Sequence, residues 1–283
     1  MATNQQRREA AKRKLERQLA RRAERAKRRR IIGVGVTVGV VVVVAGLVVL
    51  FATRGNDDAA ADNASPPSSA GEQELQIPTE RIDVPERPEP LAGPVNCEYP
   101  ASDQPAAKEV EPPDGANVPA EGTVDVTLQS TAGDIPLTLD RALAPCTVNS
   151  FVSLAEQGYY TDTACHRLGT TGLQMLQCGD PSGTGSGGPG YQFADEVFPE
   201  LKYGRGVLAM ANSGPDTNGS QFFMVYGDAP LDPSYTVFGT ISDEGLSVLD
   251  KVARAGDDGS FDPSPGGGKP NMEIKFTGVT VGA

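Results

Sequence analysis

The residues best suited to chemistry lie in one short stretch, residues 163–180, which reads TACHRLGTTGLQMLQCGD. It holds the only histidine of the chain, His166, between Cys165 and Arg167, and Cys178 follows. Histidine beside cysteine can bind a metal ion or activate a nucleophile. Arginine instead offers a permanent charge and several donors in a rigid fork. The stretch could therefore form a zinc site, a hydrolytic centre, or a site that needs neither.

The surrounding sequence argues against zinc and against hydrolysis. Structural zinc needs four ligands, usually from spaced cysteine pairs, whereas Cys165 and His166 are adjacent on a predicted strand and point to opposite faces. A serine or cysteine nucleophile needs histidine as its base, but His166 lies inside that strand and the chain has no G-x-S-x-G elbow. We therefore expect His166 to be structural and the protein to use no metal and no other cofactor.

A glycine-rich stretch could suggest a nucleotide. Residues 183–188, GTGSGG, contain the pattern G-x-G-x-x-G. In a dinucleotide-binding loop this pattern opens a helix, but the PGYQFADE that follows has no helical period. We interpret the stretch as a turn-rich loop.

The four cysteines allow three pairings, or they could be free and buried. If ACHRL and LQMLQC form an antiparallel hairpin around GTTG, Cys165 and Cys178 lie nearly opposite each other. The remaining disulfide would then join Cys97 to Cys146. Outside the membrane, where we expect these residues to lie, an even number of cysteines favours disulfides.

The N-terminal part of the chain predicts a membrane anchor. Residues 1–30 contain 13 Lys/Arg and 3 Glu, and residues 31–51 are uncharged and almost wholly apolar. A helix of that length spans a hydrocarbon core of about 30 Å. A buried core helix would have a polar face, and a cleaved signal peptide would have a shorter apolar run. Residues 1–30 could also be a nucleic-acid-binding tail, but beside an apolar span they are better explained as a segment retained in the cytoplasm. We expect a single-pass protein of the cell membrane that binds no nucleic acid.

The exported part divides in composition at residue 122. Residues 52–121 are rich in proline and acidic residues and sparse in large apolar side chains, so we expect a disordered linker outside the membrane. From residue 122 onward, alternating patterns predict about eight strands, beginning with the hairpin TVDVTLQST and DIPLTLD. Two helices are predicted, one beginning at Pro145 and closed by Gly158 and one in GLSVLDKVARAG. Many short strands with glycine-rich turns favour a closed barrel or a sandwich.

The stretch LAMANSGPDTNGSQFFMVY, residues 208–226, carries a specific resemblance. Together with CHR, QCGD and YTVFGTI, it resembles the cyclophilins, which are peptidyl-prolyl cis-trans isomerases, over residues 122–283. The resemblance implies a mainly β fold, a closed eight-stranded antiparallel barrel capped by two helices. It also implies that the protein acts on X-Pro bonds and, given the expected topology, on those of exported proteins. A catalytically weak module that binds proline-rich partners at the cell envelope is the alternative.

The resemblance assigns the site residue by residue. Arg167, after the histidine of CHR, corresponds to the catalytic arginine of the family. The apolar pocket for the substrate proline falls on Leu173, Met175, Phe223 and Leu231, and the groove glutamines fall on Gln177 and Gln221. The segment that binds the substrate backbone corresponds to Ala211, Asn212 and Ser213.

Three departures from the family pattern affect these assignments. The stretch from Arg167 to Asp180 is about two residues longer than in common eukaryotic members, which makes the Leu173 assignment sensitive to a shift of one residue. Tyr235 stands where the family has a pocket histidine. The chain contains no tryptophan, and the family's tryptophan favours cyclosporin, so we expect weak cyclosporin binding. Proline-containing polypeptides are the expected partners of a monomeric protein.

Overall fold

The computed structural model describes residues 75–84 and 86–282. The predicted basic segment 1–30, the predicted membrane helix 31–51 and the first part of the predicted linker lie outside these residues. Within the described part, no helix combines the length and the apolar character needed to cross a membrane.

Alternating apolar and polar residues produce eight short strands that form one curled antiparallel sheet. The strands are β1 Thr123–Ser130, β2 Ile135–Asp140, β3 Arg167–Gly169, β4 Met175–Cys178, β5 Val207–Met210, β6 Phe222–Val225, β7 Val237–Ile241 and β8 Phe276–Val281. Their order across the sheet is β3-β4-β6-β5-β7-β2-β1-β8. The edge strands β3 and β8 are not ladder neighbours. Instead, one bridge joins Ala164 and Lys275, which precede them. The prediction of eight antiparallel strands with two helices is confirmed, but the strands form a curled sheet with two edges rather than the closed barrel that was expected.

Two helices of equal length pack on the sheet, and their N-termini are capped differently. Helix α1 covers Pro145–Glu156, with proline in its first turn as predicted, and Gly158 follows it with a φ of +70°. Helix α2 covers Asp243–Arg254, and the Ser242 side chain accepts a hydrogen bond from the Gly245 N–H. Helix α1 has no such cap of its own. The distant Glu196 carboxylate accepts the N–H groups of Cys146 at 3.0 Å and Thr147 at 2.8 Å instead.

The two faces of β4 and β6 have different roles. Leu176 pairs with Met224, and Cys178 with Phe222. These four side chains are fully buried, and the Phe222 ring lies within 5.3 Å of Phe151 on α1, centroid to centroid. Because side chains alternate along a strand, the intervening residues Met175, Gln177 and Phe223 lie on the opposite face. The candidate site is built on that second face.

Residues 75–121 differ from the predicted disordered linker, because their described part packs against the sheet and α1. Val118 and Ala120 are buried. The Tyr99 hydroxyl donates to the Cys146 carbonyl at 2.7 Å, and the Lys108 ammonium binds the carbonyl groups that follow α1. The lysine thus fastens the segment to the turns that follow α1. Separate buried apolar side chains and side-chain hydrogen bonds therefore hold in place a segment that has no regular secondary structure.

Both predicted disulfides are present. Cys165 is bonded to Cys178, and Cys97 to Cys146. The first joins the residues just before β3 to the end of β4, beside the stretch that contains Arg167. The second joins the described part of residues 75–121, called the ordered N-terminal segment below, to the start of α1.

Candidate active site

Three predicted site residues form a row across neighbouring strands. Arg167 on β3 pairs with Gln177 on β4, and Gln177 pairs with Phe223 on β6. Residues paired across an antiparallel ladder project from the same face. The register therefore brings a guanidinium, an amide and an aromatic ring together on one surface.

The Arg167 guanidinium is held by acceptors on two sides. Its Nη1 donates to the Gln177 Oε1 at 3.2 Å, its Nε to the Gly266 carbonyl at 3.0 Å, and its Nη2 to the Pro265 carbonyl at 2.7 Å. A guanidinium has five N–H donors, so one N–H on each terminal nitrogen is left for a substrate. Partial burial lowers the pKa of Arg167, but an arginine stays charged at neutral pH.

A chain of amides continues from Arg167 along the surface. The Gln177 Nε2 donates to the Gln221 Oε1 at 2.9 Å, and the Gln221 Nε2 donates to the carbonyl groups of Gly185 and Gly187 at 3.0 Å each. The glycine-rich stretch 183–188 therefore supports the two groove glutamines. It opens no helix, as predicted.

The loop around this glycine-rich stretch is organised by a buried aspartate. The Asp180 carboxylate accepts the N–H groups of Ser182 at 2.8 Å, Gly185 at 2.7 Å and Gly187 at 3.0 Å. Burial alone would raise the pKa of Asp180, but hydrogen bonds from the Ser182 side chain and from these main-chain groups hold it below its ordinary value. The loop thus wraps around a carboxylate, and its carbonyl groups turn toward Gln221.

An apolar surface lies beside the guanidinium. Met175 is 1% exposed and Phe223 is 5% exposed. The ring of Tyr235 stands edge-on to Phe223 with centroids 5.6 Å apart. Leu173 and Leu231 are partly buried and pack against the same core. Gln174 is buried and hydrogen-bonded to the main chain of Gln76 and Asp228, so it is unavailable to a substrate. Leu173, two residues before Met175, remains the better match to the pocket.

The segment 211–213 offers a free main-chain edge. The Ala211 N–H donates to the Gln221 carbonyl at 2.9 Å, and the Ser213 N–H donates to the Thr217 hydroxyl at 2.8 Å. The Asn212 side chain is held by the Ser234 carbonyl at 2.9 Å. Within the described residues, however, the main-chain N–H and C=O of Asn212 have no hydrogen-bond partner. Such a residue can pair with an extended peptide as a further strand would.

A polar cleft of about 220 Å³ adjoins this edge. Its lining includes Gln177, Gln221 and Asn212, together with Ser102 and Gln104 of the ordered N-terminal segment. None of its lining residues carries a charge. Sequence reasoning missed Ser102 and Gln104 because it interpreted residues 52–121 as a disordered linker.

A second missed residue is Tyr203, which supports Tyr235. Its hydroxyl donates to the Tyr235 carbonyl at 2.7 Å and accepts the Tyr235 N–H at 3.0 Å. Its ring also lies 6.5 Å from that of Phe223, centroid to centroid. No motif marks Tyr203, and its role follows only from the close approach of two loops.

His166 lies beneath the site rather than in it. Its side chain is 5% exposed, and neither ring nitrogen has a hydrogen-bond partner among the described residues. Burial lowers its pKa, although the nearby Asp180 carboxylate acts in the opposite sense. A neutral, buried imidazole packed beneath Gly185 agrees with the structural role expected from the sequence.

Comparisons with known proteins agree with this geometry. The family described as cyclophilin type peptidyl-prolyl cis-trans isomerase/CLD matches residues 123–280. A probable peptidyl-prolyl cis-trans isomerase B of Mycobacterium leprae is 46% identical over 94% of this chain and 96% of its own length. A protein of the same name from Mycobacterium tuberculosis is 50% identical over 66% of this chain and 64% of its own length.

A solved structure extends the agreement to the fold. A cyclophilin type isomerase of Cryptosporidium parvum, 34% identical, superposes with a TM-score of 0.50 over 57% of this chain and 99% of its own length. The family match over residues 123–280 contains both helices, the row from Arg167 to Phe223 and all of the curled sheet except the last residue of β8. The chain therefore belongs to the cyclophilin-type peptidyl-prolyl cis-trans isomerases.

Proposed function

We propose that Arg167 is the catalytic residue of this isomerase and that the surface formed by Met175, Phe223, Leu231 and Tyr235 holds the substrate proline. The observation that carries the proposal is the row from Arg167 through Gln177 to Phe223, which sets a charged donor beside an apolar surface. Leu173 belongs to the same surface. Gln177 and Gln221 line the groove between the proline and the polar cleft.

The reaction explains why these residue types suffice. Rotation about an X-Pro bond has a barrier of about 18–20 kcal/mol that arises from amide resonance. No bond breaks, so the site needs no nucleophile and no general base. In the twisted state the prolyl nitrogen regains a lone pair. A guanidinium that donates to that nitrogen, or to the prolyl carbonyl, stabilises the twisted state more than the planar ones.

The substrate backbone would bind along residues 211–213. The unpaired N–H and C=O of Asn212 can form two main-chain hydrogen bonds with an extended peptide. Ala211 and Ser213 would flank it without competing, because each N–H already has a partner in the protein. Holding the peptide on both sides of the proline leaves the rotating bond as the main freedom within the groove.

The experiment is the variant Arg167→Ala, assayed by NMR exchange spectroscopy on a short Ala-Pro peptide. We expect kcat/KM to fall by at least about tenfold, the order found when a preorganised donor is lost. Arg167→Lys keeps the positive charge but loses the planar guanidinium, so its kcat/KM should lie between those of the wild type and Arg167→Ala. Arg254→Ala, which removes an exposed arginine at the end of α2, is the matched control. Full turnover by Arg167→Ala would remove Arg167 from this role. Unimpaired peptide binding by a wild-type protein that does not turn substrate over would favour the binding module.

We further propose that the isomerase acts outside the cell membrane, anchored through residues 31–51, on proline-containing exported proteins. Both disulfides support an oxidising compartment, and the basic residues before the apolar run support a cytoplasmic N-terminus. Slow prolyl rotation limits the folding of such clients. A phosphatase that is active only outside the membrane, fused after Ala283, should be active in cells. An inactive fusion beside an active cytoplasmic reporter would overturn the proposed topology.

A further inference from the structure

The loop between α2 and β8 contacts the guanidinium of Arg167, although no motif assigns it a function. Two of the three acceptors that hold Arg167 are main-chain carbonyls of this loop, those of Pro265 and Gly266. The ring of Pro265 is exposed, so the loop does not fill the proline-binding surface with a proline of its own. It approaches Arg167 from the side away from Gln177.

Three hydrogen bonds fasten the loop to β3 and to Thr170, which follows this strand. The Leu168 N–H donates to the Gly268 carbonyl at 2.8 Å, and the Gly268 N–H donates to the Leu168 carbonyl at 3.0 Å. The Thr170 hydroxyl donates to the Asp257 carboxylate at 2.7 Å. Because Asp257 and Gly268 lie on either side of Pro265 and Gly266 in sequence, these contacts hold the two carbonyl groups beside the guanidinium.

The loop is also built to keep its shape. The Gly267 N–H donates to the Asp262 carboxylate at 2.9 Å, and the Phe261 N–H donates to the Gly267 carbonyl at 2.9 Å. Gly267 has a φ of +76°, which favours glycine. A Cβ at this position would run into the carbonyl oxygen of Leu168. Glycine is therefore what lets the loop lie against β3.

From these contacts we infer that the 257–268 loop is the positioning element of Arg167, an inference that rests on the catalytic role proposed above. Two carbonyl groups hold the Nε and Nη2 edge of the guanidinium while Gln177 holds Nη1. Arg167 therefore enters the reaction already ordered, with the remaining N–H groups free for the substrate. Because the guanidinium is already ordered before the substrate binds, no free energy is spent on ordering it when the X-Pro bond reaches the twisted state.

The test is Gly267→Ala in the full-length chain, with Gly259→Ala as its matched control. Gly259 lies in the same loop with a φ of +63°, but a Cβ there would meet only the Asp262 carboxylate at 3.5 Å. Both variants carry similar backbone strain, and only Gly267→Ala separates the loop from β3. With the Ala-Pro peptide we expect kcat/KM of Gly267→Ala to be about tenfold below that of Gly259→Ala, about 1.4 kcal/mol in activation free energy. The loss should fall mainly on kcat.

Two further readouts separate positioning from general destabilisation. In the Arg167→Ala background, Gly267→Ala should cause no further loss, because the loop acts through the missing side chain. The Nε–H resonance of Arg167, assigned by its absence from Arg167→Ala, should be protected from exchange in the wild type and in Gly259→Ala and lose that protection in Gly267→Ala. If Gly267→Ala does not fold, Thr170→Val and Thr170→Ser make the same comparison, and only the valine variant should lose activity.

The outcomes are distinct for the two claims. Equal activity of Gly267→Ala and Gly259→Ala, beside an inactive Arg167→Ala, would overturn the positioning role and leave Arg167 catalytic. An equal loss from Gly267→Ala in both backgrounds would show that the loop acts elsewhere and would also overturn it. Full activity of Arg167→Ala would instead refute the proposed function.

Discussion

Replacing Cys97 and Cys146 together by serine tests how the ordered N-terminal segment contributes to stability. Their disulfide closes a sequence separation of 49 residues. Serine is nearly isosteric with cysteine, so the packing of the segment on α1 should survive. The contacts that remain include the Tyr99 hydroxyl on the Cys146 carbonyl and the Gln157 side chain on the main chain of Glu111. The main consequence should be an unfolded chain with more freedom.

The expected magnitude follows from loop closure. With the chain-entropy relation, a cross-link over 49 residues lowers the entropy of the unfolded chain enough to stabilise the fold by about 4 kcal/mol at 25 °C. The Cys165–Cys178 disulfide spans 13 residues, and the same relation gives about 3 kcal/mol. The double serine variant at Cys97 and Cys146 should therefore be the more destabilised by about 1 kcal/mol.

Urea unfolding of the full-length chain in nonionic detergent measures the free energy of unfolding of this variant and of the corresponding double serine variant at Cys165 and Cys178. Far-ultraviolet circular dichroism and tyrosine fluorescence are suitable signals, since the chain has no tryptophan. We expect turnover of the Ala-Pro peptide to change little at Cys97 and Cys146, because neither residue lies on the candidate site. A larger loss from the 13-residue disulfide would refute the entropic reasoning and indicate that native contacts near β3 and β4 dominate.

Three further changes test the roles of single side chains. Burial lowers the pKa of His166 in the folded state, so its contribution to stability should be present above pH about 6.5 and should be lost as the pH falls through the folded-state pKa. Urea unfolding at pH 5–7 measures how steeply the free energy of unfolding depends on pH. His166→Leu should reduce that slope by up to about 1.4 kcal/mol per pH unit. Glu196→Ala leaves the first turn of α1 uncapped and should cost about 2 kcal/mol in the free energy of unfolding, whereas removal of the exposed Glu200 should cost little. Tyr203→Phe frees the Tyr235 main chain and should lower kcat/KM by a few-fold, about 1 kcal/mol; unchanged kinetics would contradict its supporting role.

The strands, the helices and the one disulfide within residues 122–282 could be predicted from the sequence because local signals agree there. Alternation in TVDVTLQST and DIPLTLD, Pro145 at a helix start and Gly158 at its end each point to the element that forms. The Cys165–Cys178 disulfide followed from a hairpin with a short turn. The roles of the site residues came instead from a resemblance, since alternation alone cannot distinguish a groove from any other surface.

The ordered part of the predicted linker was beyond such reasoning for a physical reason. Its apolar residues, among them Tyr99, Val110 and Val118, follow neither a helical nor a strand period. Tyr99 and Val110 pack against the core that the folded domain provides, and Val118 is buried and pairs with Val95 in an isolated bridge. Composition measures whether a segment can bury a core by itself, not whether it can dock on another one.

Tertiary proximity also explains why the supports of the site were missed. Pro265 and Gly266 are almost a hundred residues from Arg167 in sequence, and main-chain carbonyls carry no residue signature. Asp180 belongs to the recognised QCGD motif, but its function as the centre of a loop appears only from the N–H groups that converge on it. The resemblance indicated which groups we expect to react, whereas the groups that hold them became visible only in the fold.

The register of β3, β4 and β6 explains how one sheet can provide both a core and a reactive surface. Alternate residues of each strand face opposite sides of the sheet, so Leu176 and Phe222 lie in the core beneath α1 while Gln177 and Phe223 lie on the face of the candidate site. A shift of one residue in this register would move both sets to the wrong face. The Cys165–Cys178 disulfide and the Leu168–Gly268 bridge both oppose such a shift, and they lie on either side of Arg167. The Leu168–Gly268 bridge thus opposes a register shift and also fastens the loop that we infer positions the guanidinium.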